Sequence, residues 1–160
     1  MGEAWPGGPN TVSAPTRSGL VRGGDKLGNG GFLAVRWDDR ANNLRFHGGI
    51  DYVATPGENI YSPITGEVIR IKNPGHDLNG ILIRAQNGYT ASVYYINVDQ
   101  SIIGRIAYSH APVEAGKTLI GTAQDIRAAY GPHITNHVHV TLEDPQGNRI
   151  SPADKSLITK

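Results

Sequence analysis

Short apolar runs separated by turn-forming residues constrain the fold of this sequence more than any other feature. Glycine permits positive φ, proline fixes φ and asparagine tolerates the left-handed region, so the segments between the runs are turns. Strands of this length and spacing predict an all-β fold, with an antiparallel sheet or sandwich as its core. The runs occupy residues 32–37, 49–54, 59–62, 67–72, 81–85, 90–98, 118–123 and 137–143.

Helical signals are few. Residues 124–130 could form two turns, and Ser151 followed by Pro152 is typical of a helix N-cap and first turn. One or two short helices and long loops are therefore expected beside the sheet. Residues 1–31 are rich in Gly, Pro, Ser and Asn and predict an N-terminal arm with loops, whereas residues 32–160 predict one domain.

Composition excludes several functions. Lys and Arg number 15 against 14 Asp and Glu, and the basic residues are scattered, which argues against a nucleic-acid partner. The absence of cysteine excludes disulfides, thiolate zinc sites and cysteine nucleophiles. No apolar run approaches the ~20 residues of a membrane span. The first residues lack the basic and apolar regions of a signal peptide, so we expect delivery by another route or release from a larger chain.

Two histidine groups carry the chemical signal. His47 and Asp51 are four residues apart, and His137 and His139 lie on one face of a predicted strand. A catalytic zinc site has three protein ligands and an open position for water. One His and one Asp from the first group, with one His of the second, would supply that set and leave the other His beside the water as a base. Either group alone is also typical of ordinary surface pairs, but their combination favours a metal site.

The stretch HGGIDYVATPGENIYSPITGEVIRI at 47–71 and HVHVTLED at 137–144 carry a specific resemblance, supported by residues 28–36, 87–96 and 113–125. Together these segments resemble the lysostaphin-type (LytM/LasA-like) zinc metallopeptidases, which are peptidoglycan endopeptidases. The resemblance covers roughly residues 28–155. It implies a small antiparallel β core with a narrow groove, and hydrolysis of a cross-bridge or stem peptide of bacterial peptidoglycan in the periplasm or cell wall.

Carried onto this sequence, the resemblance implies Zn²⁺ bound by His47, Asp51 and His139, with His137 as the general base. Asn29 precedes the first core strand, where some relatives carry an Asn that can occupy the open metal position. Asn29 is therefore a candidate substrate-site residue. His133 is a second candidate, because its loop leads to His137.

One position departs from the family pattern. The family usually carries a second catalytic histidine in a Tyr-x-His-Leu stretch, and the corresponding position here is Tyr95. A tyrosine hydroxyl can donate to an oxyanion, but its ordinary pKa of about 10 makes it unsuitable as a base near pH 7. The same change occurs in the leukocyte cell-derived chemotaxin, a secreted relative without recognised peptidase activity. The alternative is therefore a catalytically impaired zinc-binding module with a binding or structural role, for example in a phage tail or injection apparatus.

Overall fold

The computed structural model describes residues 12–23, 30–31, 35–38, 43–46 and 48–150. Within this part of the chain, short strands predominate and two helices are present. The strands are β1 (Val35–Asp38), β2 (Asn43–Phe46), β3 (Ile50–Val53), β4 (Asn59–Tyr61), β5 (Gly66–Gly75), β6 (Leu78–Arg84), β7 (Thr90–Tyr94), β8 (Ile96–Val98), β9 (Pro112–Val113), β10 (Leu119–Ala123), β11 (His137–Glu143) and β12 (Arg149–Ile150); the helices are α1 (Gln100–Tyr108) and α2 (Arg127–Tyr130).

The strands form one large sheet and two small ones, and every pairing between them is antiparallel. The large sheet has the order β12-β11-β7-β6-β5-β9, and β3 pairs with the first half of β11. The small sheets are β4-β10-β8 and β1-β2. This arrangement confirms the predicted all-β antiparallel fold with short helices.

Alternation along the central strands separates the core from the opposite face of the large sheet. Val138 and Val140 of β11 and Ile81 and Ile83 of β6 are buried in the hydrophobic core. Because successive side chains of a strand point to opposite faces, the residues between them lie on the other face of the sheet. His137 and His139 belong to that other face, which is where the candidate site lies.

Each of the eight predicted runs overlaps a strand, but several boundaries differ, and β2, β9 and β12 fall where no run was predicted. The segment after the run at 67–72 was predicted as a turn, whereas β5 continues to Gly75 and the chain turns at His76 and Asp77, both with positive φ (56° and 60°). The run at 90–98 is two strands, because Tyr95 adopts φ 74° and interrupts it.

The helix prediction was also partly wrong. Only Arg127–Tyr130 of the predicted segment 124–130 is helical, and the longer helix α1 falls where no helix was predicted. Asp99 caps α1 by accepting a hydrogen bond from the Ser101 backbone N–H at 3.2 Å, and Ile102 is the residue that α1 buries. Ser151 and Pro152 lie outside the described residues. None of the described helices is long and apolar enough to cross a membrane.

The described part of the N-terminal segment lies against the sheets. Val12 forms a bridge with Ile64 and is buried, and Val21 forms a bridge with Tyr52 of β3. These contacts bring the neighbouring residue Arg22 beside Asp51 of β3.

Candidate active site

The pairing of β3 with β11 places Asp51 directly opposite His139. Paired residues of an antiparallel ladder point to the same face, so the two side chains meet. The Nδ1 of His139 lies 2.7 Å from Oδ1 of Asp51, a hydrogen bond in which the carboxylate oxygen accepts. The two halves of the predicted motif, 88 residues apart in the chain, are therefore brought together by strand register.

Gly49 allows the chain to pass close to this pair. A Cβ at Gly49 would lie 2.2 Å from the carbonyl oxygen of Val140 and 3.0 Å from Nε2 of His139. Real Cβ atoms do not approach a backbone oxygen so closely, so only glycine fits without moving β3 away from β11.

Arg22 holds the second oxygen of Asp51. Its Nε donates to Oδ2 at 3.1 Å, and its backbone N–H donates to the Asp51 carbonyl at 2.7 Å. Both side chains are almost wholly buried, and buried charges are tolerated when they are paired in this way. Arg22 could not be recognised from the sequence, because it lies in a glycine-rich stretch without periodicity.

His137 is oriented by a backbone contact. Its Nδ1–H donates to the Thr135 carbonyl at 2.8 Å, so in the neutral ring the lone pair is on Nε2. Nε2 lies 3.4 Å from Oδ2 of Asp51. Burial lowers the pKa of His137 below the ordinary histidine value, and the nearby Asp51 charge opposes that shift in part. The neutral form of the ring is therefore favoured at neutral pH.

Tyr95 packs on both histidines. Its ring centre lies 5.5 Å from that of His137, edge to face, and 6.3 Å from that of His139. Its hydroxyl lies 3.0 Å from the hydroxyl of Tyr130 on α2. Burial, followed by the hydrogen bond to Tyr130, raises the pKa of Tyr95 far above its ordinary value, so the hydroxyl stays protonated.

The backbone of Tyr95 has a positive φ of 74°. A non-glycine residue in the left-handed region costs of order 1–3 kcal/mol and persists when the surrounding structure enforces it. Such residues cluster at functional sites, and Tyr95 (φ 74°) directly follows β7, beside the two histidines.

The structure thus brings together four of the predicted site residues: Asp51, His137, His139 and Tyr95. His47 and Asn29 lie outside the described residues. His133 is exposed after α2 and, within the described ranges, makes no hydrogen bond or ring contact with the site.

Asp51 and His139 present an oxygen and a nitrogen donor of the types that zinc takes in proteins, and the other Asp51 oxygen has a hydrogen-bonding partner, as metal-ligating carboxylates do. Among the residues that the structure describes, no group of three or more His, Cys, Asp or Glu side chains is arranged to hold a metal ion. The donor atoms of Asp51 and His139 are therefore of types that fit zinc, and His47, the third ligand that the resemblance implies, lies outside the described residues.

The fold is thus an antiparallel sheet that carries a His–Asp pair across two neighbouring strands. The sequence profile of peptidase family M23 matches residues 45–152, about two thirds of the chain. The chain belongs to peptidase family M23.

Two known proteins are similar to this chain over most of its length. The chain is 28% identical to leukocyte cell-derived chemotaxin-2 of Bos taurus over 137 residues, which is 84% of this chain and 82% of that protein. It is 27% identical to the Mus musculus protein of the same name over 132 residues, covering 81% of this chain and 77% of that one.

Two solved structures share the fold. A zinc-containing peptidase from Vibrio cholerae superposes with a TM-score of 0.54 at 16% identity, over 87% of this chain and 39% of the other. A structure of the SpoIIQ–SpoIIIAH pore-forming complex gives a TM-score of 0.52 at 13% identity, over 88% of this chain and 87% of the other. At these identities the likeness concerns the fold alone.

Proposed function

We propose that this chain is a zinc-dependent endopeptidase that hydrolyses a peptide bond in the cross-bridge or stem peptide of bacterial peptidoglycan. The observation that supports it most is the contact between Asp51 and His139, with His137 and Tyr95 beside them, in a member of peptidase family M23. The peptidase domain is assigned to residues 32–160, following the N-terminal arm.

His47, Asp51 and His139 would hold the zinc ion. When bound there, zinc acts as a Lewis acid on the scissile carbonyl and makes water a stronger nucleophile near pH 7. The role of Arg22 is to fix the carboxylate: with Oδ2 occupied by the guanidinium, Oδ1 faces His139. Hydrogen-bonding partners of this kind typically change metal affinity by 10–100-fold when they are removed.

His137 is assigned as the general base. The Thr135 carbonyl binds the proton on Nδ1, so Nε2 is free to take the proton of the attacking water. Burial lowers the pKa of His137 and keeps the ring neutral before it acts. The adjacent Asp51 carboxylate then stabilises the positive charge that the ring acquires.

Tyr95 is assigned as a hydrogen-bond donor to the carbonyl oxygen as that oxygen becomes negative. Its raised pKa excludes a role as a base at neutral pH and keeps the O–H available as a donor. The Tyr130 hydroxyl, 3.0 Å away, is placed to accept or donate in the resting site and so to orient the Tyr95 hydroxyl.

A second candidate function is a zinc-binding module without efficient turnover. Two observations favour it: Tyr95 stands where the family usually has its second catalytic histidine, and the chain is similar to leukocyte cell-derived chemotaxin-2. Such a module would serve a binding or structural role, for example in a phage tail or injection apparatus.

For the peptidase, action in the periplasm or cell wall is proposed from the membership in family M23.

Metal dependence separates the proposed functions. The purified protein is stripped with a chelator, and zinc is titrated back while both bound zinc and cleavage of a cross-linked peptidoglycan peptide are measured. If the chain is a peptidase, cleavage should appear in proportion to bound zinc, up to one ion per chain. Asp51→Ala and His139→Ala should lose both zinc binding and cleavage. Stoichiometric zinc without cleavage would favour the non-catalytic module, and cleavage independent of zinc would contradict both.

A further inference from the structure

A row of paired residues crosses the large sheet from the candidate active site to β5. His139 pairs with Tyr94 of β7, Tyr94 pairs with Gly80 of β6, and Gly80 pairs with Lys72 of β5. Residues paired across an antiparallel sheet share one face. Lys72 and His139 therefore lie on the same face, opposite to the core.

The side chain of Lys72 reaches back towards the histidines. Its Nζ donates to Oγ of Ser92 on β7 at 3.2 Å and lies 5.0 Å from the ring centre of Tyr94. The Tyr94 ring centre is itself 5.9 Å from that of His139. At ~3.3–3.6 Å per extended residue, the ammonium is therefore within about three peptide residues of His139.

The absence of a side chain at Gly80 leaves room for the Lys72 side chain to extend from β5 to β7. A Cβ at Gly80 would lie 2.3 Å from the Val93 carbonyl oxygen and 2.9 Å from Cδ1 of Tyr94. Because no side chain stands at this point of β6, the Lys72 side chain can cross the strand and lie over β7. Ser92 and Tyr94 then fix the ammonium by a hydrogen bond and a cation–π contact.

The charges on this face leave the ammonium without a counter-ion. Arg70 and Arg84 lie on the same face, and in the described ranges neither they nor Lys72 forms an ion pair with a carboxylate. Each acidic residue of that face has a neighbour: Asp51 pairs with Arg22, Glu143 pairs with Arg149 at 2.8 Å, and Glu67 lies 2.5 Å from Nδ1 of His110. The face beside the site is therefore positive.

We propose that Lys72 binds a carboxylate of the substrate peptide, close to the bond that is cut. An ammonium has three donors, and Ser92 occupies one, so two remain for a carboxylate. The substrate is accordingly an acidic peptide, such as a stem peptide with a free carboxyl group, rather than a neutral glycine bridge. This inference rests on the proposed function, since it names the substrate class of the same site.

The test compares two fluorescein-labelled stem-type peptides that differ in one group. One has a free α-carboxylate on its γ-linked D-glutamate, and in the other this group is a carboxamide. Fluorescence anisotropy gives Kd for each peptide with zinc-loaded wild type, Lys72→Gln and Lys72→Arg. Lys117→Gln is the matched control, because Lys117 is exposed and paired with Glu114 in the chain before β10.

We expect wild type to bind the carboxylate peptide about tenfold more tightly, the size of one charged hydrogen bond. Lys72→Gln should bind both peptides equally, Lys72→Arg should retain most of the preference, and Lys117→Gln should behave as wild type. Thermal unfolding checks that each variant is folded. Ser92→Ala is the second variant if Lys72→Gln is unfolded, and it should weaken the preference by releasing the ammonium.

Equal binding of the two peptides by wild type, or a preference that survives in Lys72→Gln, would overturn the proposal, as would failure of wild type to bind either peptide. Because the readout is binding, the result is distinct from the test of turnover. A preference abolished by Lys72→Gln without any cleavage would uphold the carboxylate site and reject the peptidase. Cleavage by a wild type that binds the two peptides equally would uphold the peptidase and reject the carboxylate site at Lys72.

Discussion

Arg22 and Asp51 form a buried ion pair: Nε lies 3.1 Å from Oδ2, and the exposed fractions of the two side chains are 2% and 3%. The remaining oxygen, Oδ1, accepts from His139. Both oxygens of the carboxylate are thus held, one by a cation from the N-terminal segment and one by an imidazole of β11. The pair links a segment without regular structure to the strand that carries the candidate metal ligand.

We expect Arg22→Met to lower the free energy of unfolding by about 3–5 kcal/mol, because it leaves the Asp51 carboxylate buried with its charge partner removed. Urea unfolding at neutral pH measures this. Arg127→Gln is the matched control, since Arg127 pairs with Asp125 in an exposed position and its loss should leave the unfolding midpoint unchanged. A midpoint for Arg22→Met equal to that of wild type would show that the buried pair does not stabilise the fold.

Tyr95→Phe removes the hydroxyl and keeps the ring that packs on His137 and His139. If the hydroxyl stabilises the developing oxyanion, kcat should fall about 100-fold with little change in KM. Steady-state cleavage of a cross-linked peptidoglycan peptide gives both constants. Tyr108→Phe, at a tyrosine that is 91% exposed, should match wild type. Unchanged kcat in Tyr95→Phe would remove Tyr95 from the mechanism.

Gly49→Ala and Gly104→Ala should have opposite effects. The Cβ at residue 49 would collide with the Val140 carbonyl, so we expect a loss of about 1–3 kcal/mol and weaker zinc binding as β3 moves from β11. Gly104 lies within α1 and a Cβ there meets nothing within 4 Å, so alanine should stabilise by about 0.5–1 kcal/mol. Denaturant unfolding and zinc titration of both variants measure these effects. A Gly104→Ala variant less stable than wild type would by itself contradict the prediction.

Asn136 connects the segments around the histidines with three hydrogen bonds. Its side chain accepts from the Ile126 backbone N–H at 2.9 Å and donates to the carbonyls of Ala54 and Gln124 at 2.8 and 3.0 Å. Asn136→Ala leaves these backbone groups without their partner, and we expect a loss of about 2–4 kcal/mol by thermal or urea unfolding. Asn73→Ala, which removes one exposed side-chain contact, should change stability by less than about 0.5 kcal/mol. Similar losses in the two variants would contradict the account.

Most of the sheet could be predicted because apolar runs and turn residues are local signals. The break at Tyr95 could not, since residues 90–98 have the composition of one continuous strand and the positive φ there depends on tertiary contacts. Helix α1 was missed although Asp99, its N-cap, gave a usable local signal in front of Ile102. Its isoleucines and its internal glycine are weak helix formers, which obscured the pattern.

The candidate site could be predicted only where a motif marks it. The spacing of Asp51 from His47, and of His137 from His139, indicated chemistry before any contact was known, and β3–β11 pairing then brought Asp51 to His139. Arg22 carries no such mark, because nothing local relates it to a residue 29 positions away. Lys72 was missed for the same reason: its place beside the site follows from the order of the strands.

Whether this chain is a peptidase can be decided by digesting purified peptidoglycan sacculi and identifying the released fragments by mass spectrometry. Wild type is compared with His137→Ala, and the zinc content of both proteins is measured. We expect wild type to cleave one defined peptide bond, His137→Ala to lose cleavage, and both proteins to retain zinc. Stoichiometric zinc in wild type without release of any fragment from several types of sacculi would contradict the claim that this chain is a peptidase.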